Sequence, residues 1–122
     1  MKKEEIVRRL KKFNEVKAIY LFGSAVNGRA NALSDVDVCV IGNLNEKEKK
    51  EILFGFVDEL DISFFEELPI WIQFRVFREG KCLFVRDGKS EKLVKILKFW
   101  TLKKYFDFQP IINSMMQRCL NE

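Results

Sequence analysis

The stretch from Phe22 to Val40, FGSAVNGRANALSDVDVCV, sets the pair Gly23-Ser24 ten residues ahead of the triplet Asp35-Val36-Asp37. On an extended strand, residues i and i+2 lie on one face about 6–7 Å apart, so the two carboxylates can converge on a common cation and repel each other without one. A hard divalent ion such as magnesium takes a few carboxylate oxygens and completes its octahedron with water and substrate phosphates. That accounts for acids at positions where valines would otherwise pack. Gly23 lets the chain turn sharply and come close to a ligand, and Ser24 offers a hydroxyl and backbone amides suited to a phosphate. Taken singly, Asp-x-Asp is ordinarily a solvated strand end and Gly-Ser an ordinary turn. Their combination at this spacing is what points to metal-assisted phosphate chemistry.

The remaining composition narrows the alternatives. The 122 residues include no histidine, which excludes His-based catalysis and leaves acid-base and metal work to carboxylates. Cys39, Cys82 and Cys119 are odd in number and widely spaced among apolar residues, so neither a disulfide framework nor a zinc knuckle is indicated. A net charge of +4 favours phosphate-bearing partners but falls short of the footprint of a dedicated duplex binder. With 48% apolar and 33% charged residues, the chain suits one globular domain over 1–122. No apolar run approaches ~20 residues, and the lysine-rich start leads into an amphipathic pattern, so the protein reads as cytoplasmic with no membrane partner.

Several elements must position these groups. Ile6, Val7, Leu10 and Phe13, with Glu4–Arg8 and Glu5–Arg9 pairs, predict an amphipathic helix over 3–14. VKAIYLF, 16–22, is a nearly continuous apolar run ending at Gly23, as expected of a strand buried on both faces. In the strand 35–41, Val36, Val38 and Val40 share one face, and Asp35, Asp37, Cys39 and Ile41 share the other. Asn45 and Glu48 form a capping-box pattern opening a helix over about 46–59. LDISFF, 60–65, predicts a strand carrying one acid, Asp61. IWIQFRVF fits either period, but Pro69 before it and Gly80 behind favour a helix. KCLFV, 81–85, predicts a short strand, followed by a helix over 90–106 and a last helix from Pro110 with Ile112, Met115, Met116 and Cys119 on one side.

Gly23-Ser24, ten intervening residues and Asp35-Val36-Asp37 resemble the signature of the nucleotidyltransferase superfamily related to DNA polymerase β, and the short chain resembles its minimal nucleotidyltransferase (MNT) group. The resemblance spans residues 3 to about 86 and is loose over the helices of 90–121. It implies an α+β fold, a mixed sheet flanked by helices, that transfers AMP from ATP to a hydroxyl with two magnesium ions. Asp35 and Asp37 would bridge the metals, while Gly23 and Ser24 would hold the β- and γ-phosphates. Asp61 matches the superfamily's third carboxylate, which serves the metal that activates the acceptor. Asp58 and Glu59 are rivals, but they still fit the end of the preceding helix, whereas Leu60, Ile62 and Phe64 mark the other face of Asp61's strand. Many members carry a bulky or basic residue after Gly-Ser and an arginine before the next glycine, where this chain has Ala25 and Asn27, and Arg29 is either a substitute source of positive charge or an ordinary surface arginine. In the MNT group the acceptor is implied to be a tyrosine of a cognate HEPN toxin, which makes this chain an antitoxin working in a homo- or hetero-oligomer, with nucleic acid not a direct partner. The methionine stripe of the last helix and YFDF, 105–108, fit either such an interface or ordinary core packing, which is the commoner use of such stripes. A non-catalytic antitoxin acting by occlusion, and a small nucleotidyltransferase acting on RNA or a small molecule, are the competing readings.

Overall fold

The computed structural model describes residues 2–23 and 37–121. Its elements in chain order are α1 (Lys3–Leu10), β1 (Val16–Phe22), β2 (Asp37–Gly42), α2 (Glu46–Gly55), β3 (Asp61–Phe64), a 3-10 turn (Phe65–Glu67), α3 (Ile70–Glu79), β4 (Lys81–Val85) and α4 (Gly88–Asn121). The four strands form one sheet in the order β3-β2-β1-β4. β1 runs antiparallel to both β2 and β4, whereas β2 and β3 are parallel and joined through α2, so the sheet is mixed.

The sheet is covered on both faces, which is why β1 is buried along most of its length instead of alternating. On one face Ile19, Leu21, Val38, Val40 and Phe64 pack with Ile6 and Leu10 of α1 and Ile52 of α2. On the other, Ala18, Tyr20, Phe22, Cys39 and Ile41 pack with Val76 of α3 and Val94 of α4. The alternation expected of β2 is thus realised: Val38 and Val40 face one layer, Cys39 and Ile41 the other.

Local chemistry fixes the helix ends. The Asn45 side chain accepts from Glu48 N–H at 2.8 Å while Glu48 accepts from Asn45 N–H at 3.2 Å, so α2 starts on a reciprocal cap. α2 stops at Gly55 rather than near 59, because the following turn places Asp58 at φ +67°. α1 also ends early, at Leu10. Arg86 supplies the reason: its guanidinium donates to the carbonyls of Lys11 at 2.8 Å, Phe13 at 2.9 Å and Val16 at 2.8 Å, satisfying the turn that replaces the last helical residues. Pro69 caps α3, in line with a helical IWIQFRVF.

The two separate C-terminal helices expected from Pro110 are instead one helix of 34 residues, with Pro110 inside it. Proline cannot donate to the carbonyl four residues back, but Phe106 and its neighbours on this part of α4 are exposed, so water can take the freed acceptor. YFDF also divides: Tyr105 stacks on Phe74 of α3 at 3.8 Å, fixing α4 to the body, while Phe106 remains exposed. Among the described residues no helix is long and apolar enough to cross a membrane.

Candidate active site

The site is assembled by strand register. Asp37 opens β2, pairs with Phe22 at the end of β1, and on its other side pairs with Asp61 at the start of β3. Side chains of paired residues point to one face, and neighbouring strands lie about 4.8 Å apart, so the two carboxylates stand side by side. Their face is that of Cys39, the layer on which α3 packs. Glu59 is drawn the other way, into a 3.3 Å ion pair with Arg9 of α1, and Asp58 sits in the turn.

Gly23 follows Phe22 at φ +97°, a conformation that side-chain-bearing residues rarely adopt. A Cβ at this position would fall 2.5 Å from Oδ2 of Asp37. The absent side chain therefore lets the carboxylate of Asp37 lie directly against the backbone of Gly23, so that a ligand reaching one also reaches the other. Ser24, Arg29 and Asp35 lie outside the described residues.

Electrostatics agree with a cation-seeking pair. Burial pushes the carboxyl of Asp37 above the ordinary range, the negative charge of Asp61 pushes it further, and the guanidinium of Arg75 pulls it partly back. Among the described residues no group of three or more His, Cys, Asp or Glu side chains is arranged to hold a metal ion, so Asp37 and Asp61 stand there as a pair. All-oxygen donors, mutual repulsion and the close approach of the Gly23 backbone to the Asp37 carboxylate fit a magnesium ion shared with phosphate oxygens. The influence of Arg75 was not visible in the sequence. It lies 38 residues after Asp37 on a helix whose stripe of Ile72 and Val76 shows only which side faces the sheet.

Comparison with known proteins gives the family of the chain. Residues 4–89 match the family model "Polymerase beta, Nucleotidyltransferase". The chain is 32% identical over 88 residues to "Putative protein adenylyltransferase MJ1547" of Methanocaldococcus jannaschii, covering 71% of each. Its fold matches a chain of a toxin-antitoxin solved with AMP-PNP at a TM-score of 0.70 and 20% identity, over 95% of this chain and 99% of that one. It also matches a chain of tri-AMPylated Shewanella oneidensis HEPN toxin in complex with MNT antitoxin at a TM-score of 0.65 and 19% identity, over 93% and 95%. The family match runs through β1, β2 and β3, the strands that bring Gly23, Asp37 and Asp61 together, and the chain belongs to the polymerase β nucleotidyltransferase family.

Proposed function

We propose that this protein is a magnesium-dependent protein adenylyltransferase that transfers AMP from ATP to a tyrosine of a cognate HEPN toxin and thereby acts as its antitoxin in the cytoplasm. The observation that carries the reading is the register pairing of Asp37 with Asp61, with the Asp37 carboxylate lying against the backbone of Gly23. Gly23 admits the β- and γ-phosphates close to the backbone, and Ser24 grips the departing pyrophosphate. Asp35 and Asp37 would bridge the two magnesium ions, Asp61 would be a further ligand of the acceptor-side ion, and Arg29 would add positive charge to the triphosphate. Bound magnesium supplies charge neutralisation at the attacking and leaving oxygens. Asp61, at the exposed edge of the pair, orients the acceptor hydroxyl and takes up its proton as the hydroxyl attacks the α-phosphorus and pyrophosphate leaves.

An acceptor on another protein is supported by the surface as well as by the named relatives. Trp71 of α3 and Phe108, Met115, Met116 and Leu120 of α4 line an open apolar groove of about 850 Å³. Methionine-rich grooves adapt readily to a partner helix or loop.

The test is incubation with labelled ATP and the toxin encoded beside this chain, read by mass spectrometry. Wild type is expected to add one or more AMP units, Asp61→Asn to add none at the same time point, and Asp58→Asn to behave as wild type. An unmodified toxin that is still fully inhibited by the Asp37→Asn protein would replace catalysis with occlusion. Label appearing on RNA or a small molecule instead would move the activity to that acceptor.

A further inference from the structure

The catalytic acids do not account for the cation that faces them from α3. Arg75 lies in the last turn and a half of that helix, and the helix is held firmly against the acids' side of the sheet. Phe77 packs edge-on to Tyr20 at 5.5 Å and against Phe65 at 5.2 Å, Gln73 Nε2 donates to the carbonyl of Phe65 at 2.8 Å, and Val76 is fully buried. At its end, Gly80 comes so close to β1 that a Cβ there would sit 3.0 Å from the carbonyl of Leu21, two residues before Gly23. The C-terminal half of α3 is therefore fixed at the end of the sheet where Gly23 and Asp37 lie. Val76 faces the sheet, so its neighbour Arg75 stands on the flank of the helix, half exposed, with its charge felt at Asp37.

One contact holds the Arg75 side chain: Nε lies 3.5 Å from Oε2 of Glu79, one turn on. Among the described residues no hydrogen bond engages its terminal Nη groups. An i,i+4 pair with an exposed glutamate is weak, so Glu79 can keep the guanidinium extended without competing strongly for it. A guanidinium carried on the helix that covers the acids' side of the sheet, with its fork unengaged among the described residues, is suited to a bidentate contact to phosphate oxygens once the nucleotide sits at Gly23 and the acids.

We infer that Arg75 binds the triphosphate of the incoming nucleotide, with Glu79 as the residue that positions it. The inference rests on the nucleotidyltransferase reading of the site. It goes beyond that reading in placing a phosphate ligand on α3, outside the Gly-Ser turn and the three acids.

Calorimetric titration of the whole chain with MgATP, without acceptor, tests it, and titration with Mn²⁺ alone separates phosphate binding from support of the acids. Loss of a charge-assisted fork is expected to weaken MgATP binding by about 10- to 100-fold in Arg75→Ala. Arg75→Lys should recover part of the loss, and Arg78→Ala, which removes the same charge from the same helix, should bind as wild type. Mn²⁺ alone should bind Arg75→Ala at least as tightly as wild type, because a like charge has been removed from the site. If Arg75→Ala binds MgATP as wild type does while Asp37→Asn does not, the inference fails and the active-site assignment stands. Weaker binding of Mn²⁺ alone by Arg75→Ala overturns it too, since Arg75 would then be supporting the acids. If wild type binds no MgATP, both fall.

Discussion

Asp37 carries a cost that a folded protein without a bound cation has to bear. Its carboxyl is raised by burial and by the charge of Asp61, so above the ordinary carboxylate range the folded state holds a charge that the unfolded chain hydrates better. For an acid with a raised folded value, stability is greatest when it is protonated and declines as pH rises through the window between the unfolded and folded values. Asp37→Asn removes that charge with little change of shape. In EDTA at neutral pH the variant is expected to melt at a higher temperature than wild type, with the difference shrinking below about pH 4, where wild type is protonated as well. On the proposed assignment, transfer activity should fall by about a hundredfold or more, since Asp37 is there a ligand of the cation. A lower melting temperature for Asp37→Asn would mean that the charge is compensated by groups beyond Arg75.

At the scale of elements, the site depends on β1 and β2 staying in register, and β1 is anchored by a residue far from it in sequence. Arg86, just past β4, donates three hydrogen bonds to carbonyls of the α1–β1 segment, and its backbone N–H donates to Lys17 at 2.9 Å. Its side chain replaces the helical hydrogen bonds that α1 gives up after Leu10. Arg86→Met keeps much of the aliphatic stem and removes all three side-chain donors. Urea unfolding should show a loss of about 2 kcal/mol, because partly buried carbonyls are left without partners. Lys49 plays a comparable part for α2, with its ammonium 2.9 Å from Glu66 and 3.1 Å from Glu67, tying that helix to the turn after β3. Those carboxylates raise the lysine's proton affinity, so this clasp persists across the whole neutral range.

Across the whole molecule the apolar surface is unevenly divided. The sheet is sealed on both faces, yet the second half of α4 shows Ile111, Met115, Met116 and Leu120 to solvent, with Met115 59% exposed. Such a stripe contributes little to the fold of the chain that bears it and is suited to a partner. Met115→Asp is therefore expected to change unfolding stability by less than about 0.5 kcal/mol and to leave MgATP binding intact. Association with the toxin, followed by native mass spectrometry, should be lost or weakened by about tenfold or more. Association equal to wild type would place the interface elsewhere.

Strand identity, the burial of β1, the common face of Asp37 and Cys39, and the capped start of α2 were legible because each depends on residues within one or two turns or a single alternation. The preference for Asp61 over Asp58 and Glu59 had the same local basis, and the fold sets Asp61 opposite Asp37 while Glu59 joins Arg9. Where distant contacts set the outcome, the sequence misled. It extended α1 past the point where Arg86 captures the chain, and it broke α4 at a proline that an exposed helix tolerates. It was silent on Arg75, because which flank of α3 is turned towards Asp37 depends on how that helix is pinned, by Phe77 and Gly80 against β1 far back in the chain and by Gln73 against the turn after β3. Residue type and spacing are enough to declare a donor set, since periodicity places side chains on faces. Only packing decides which faces meet, and with them the cation that stands beside the acids.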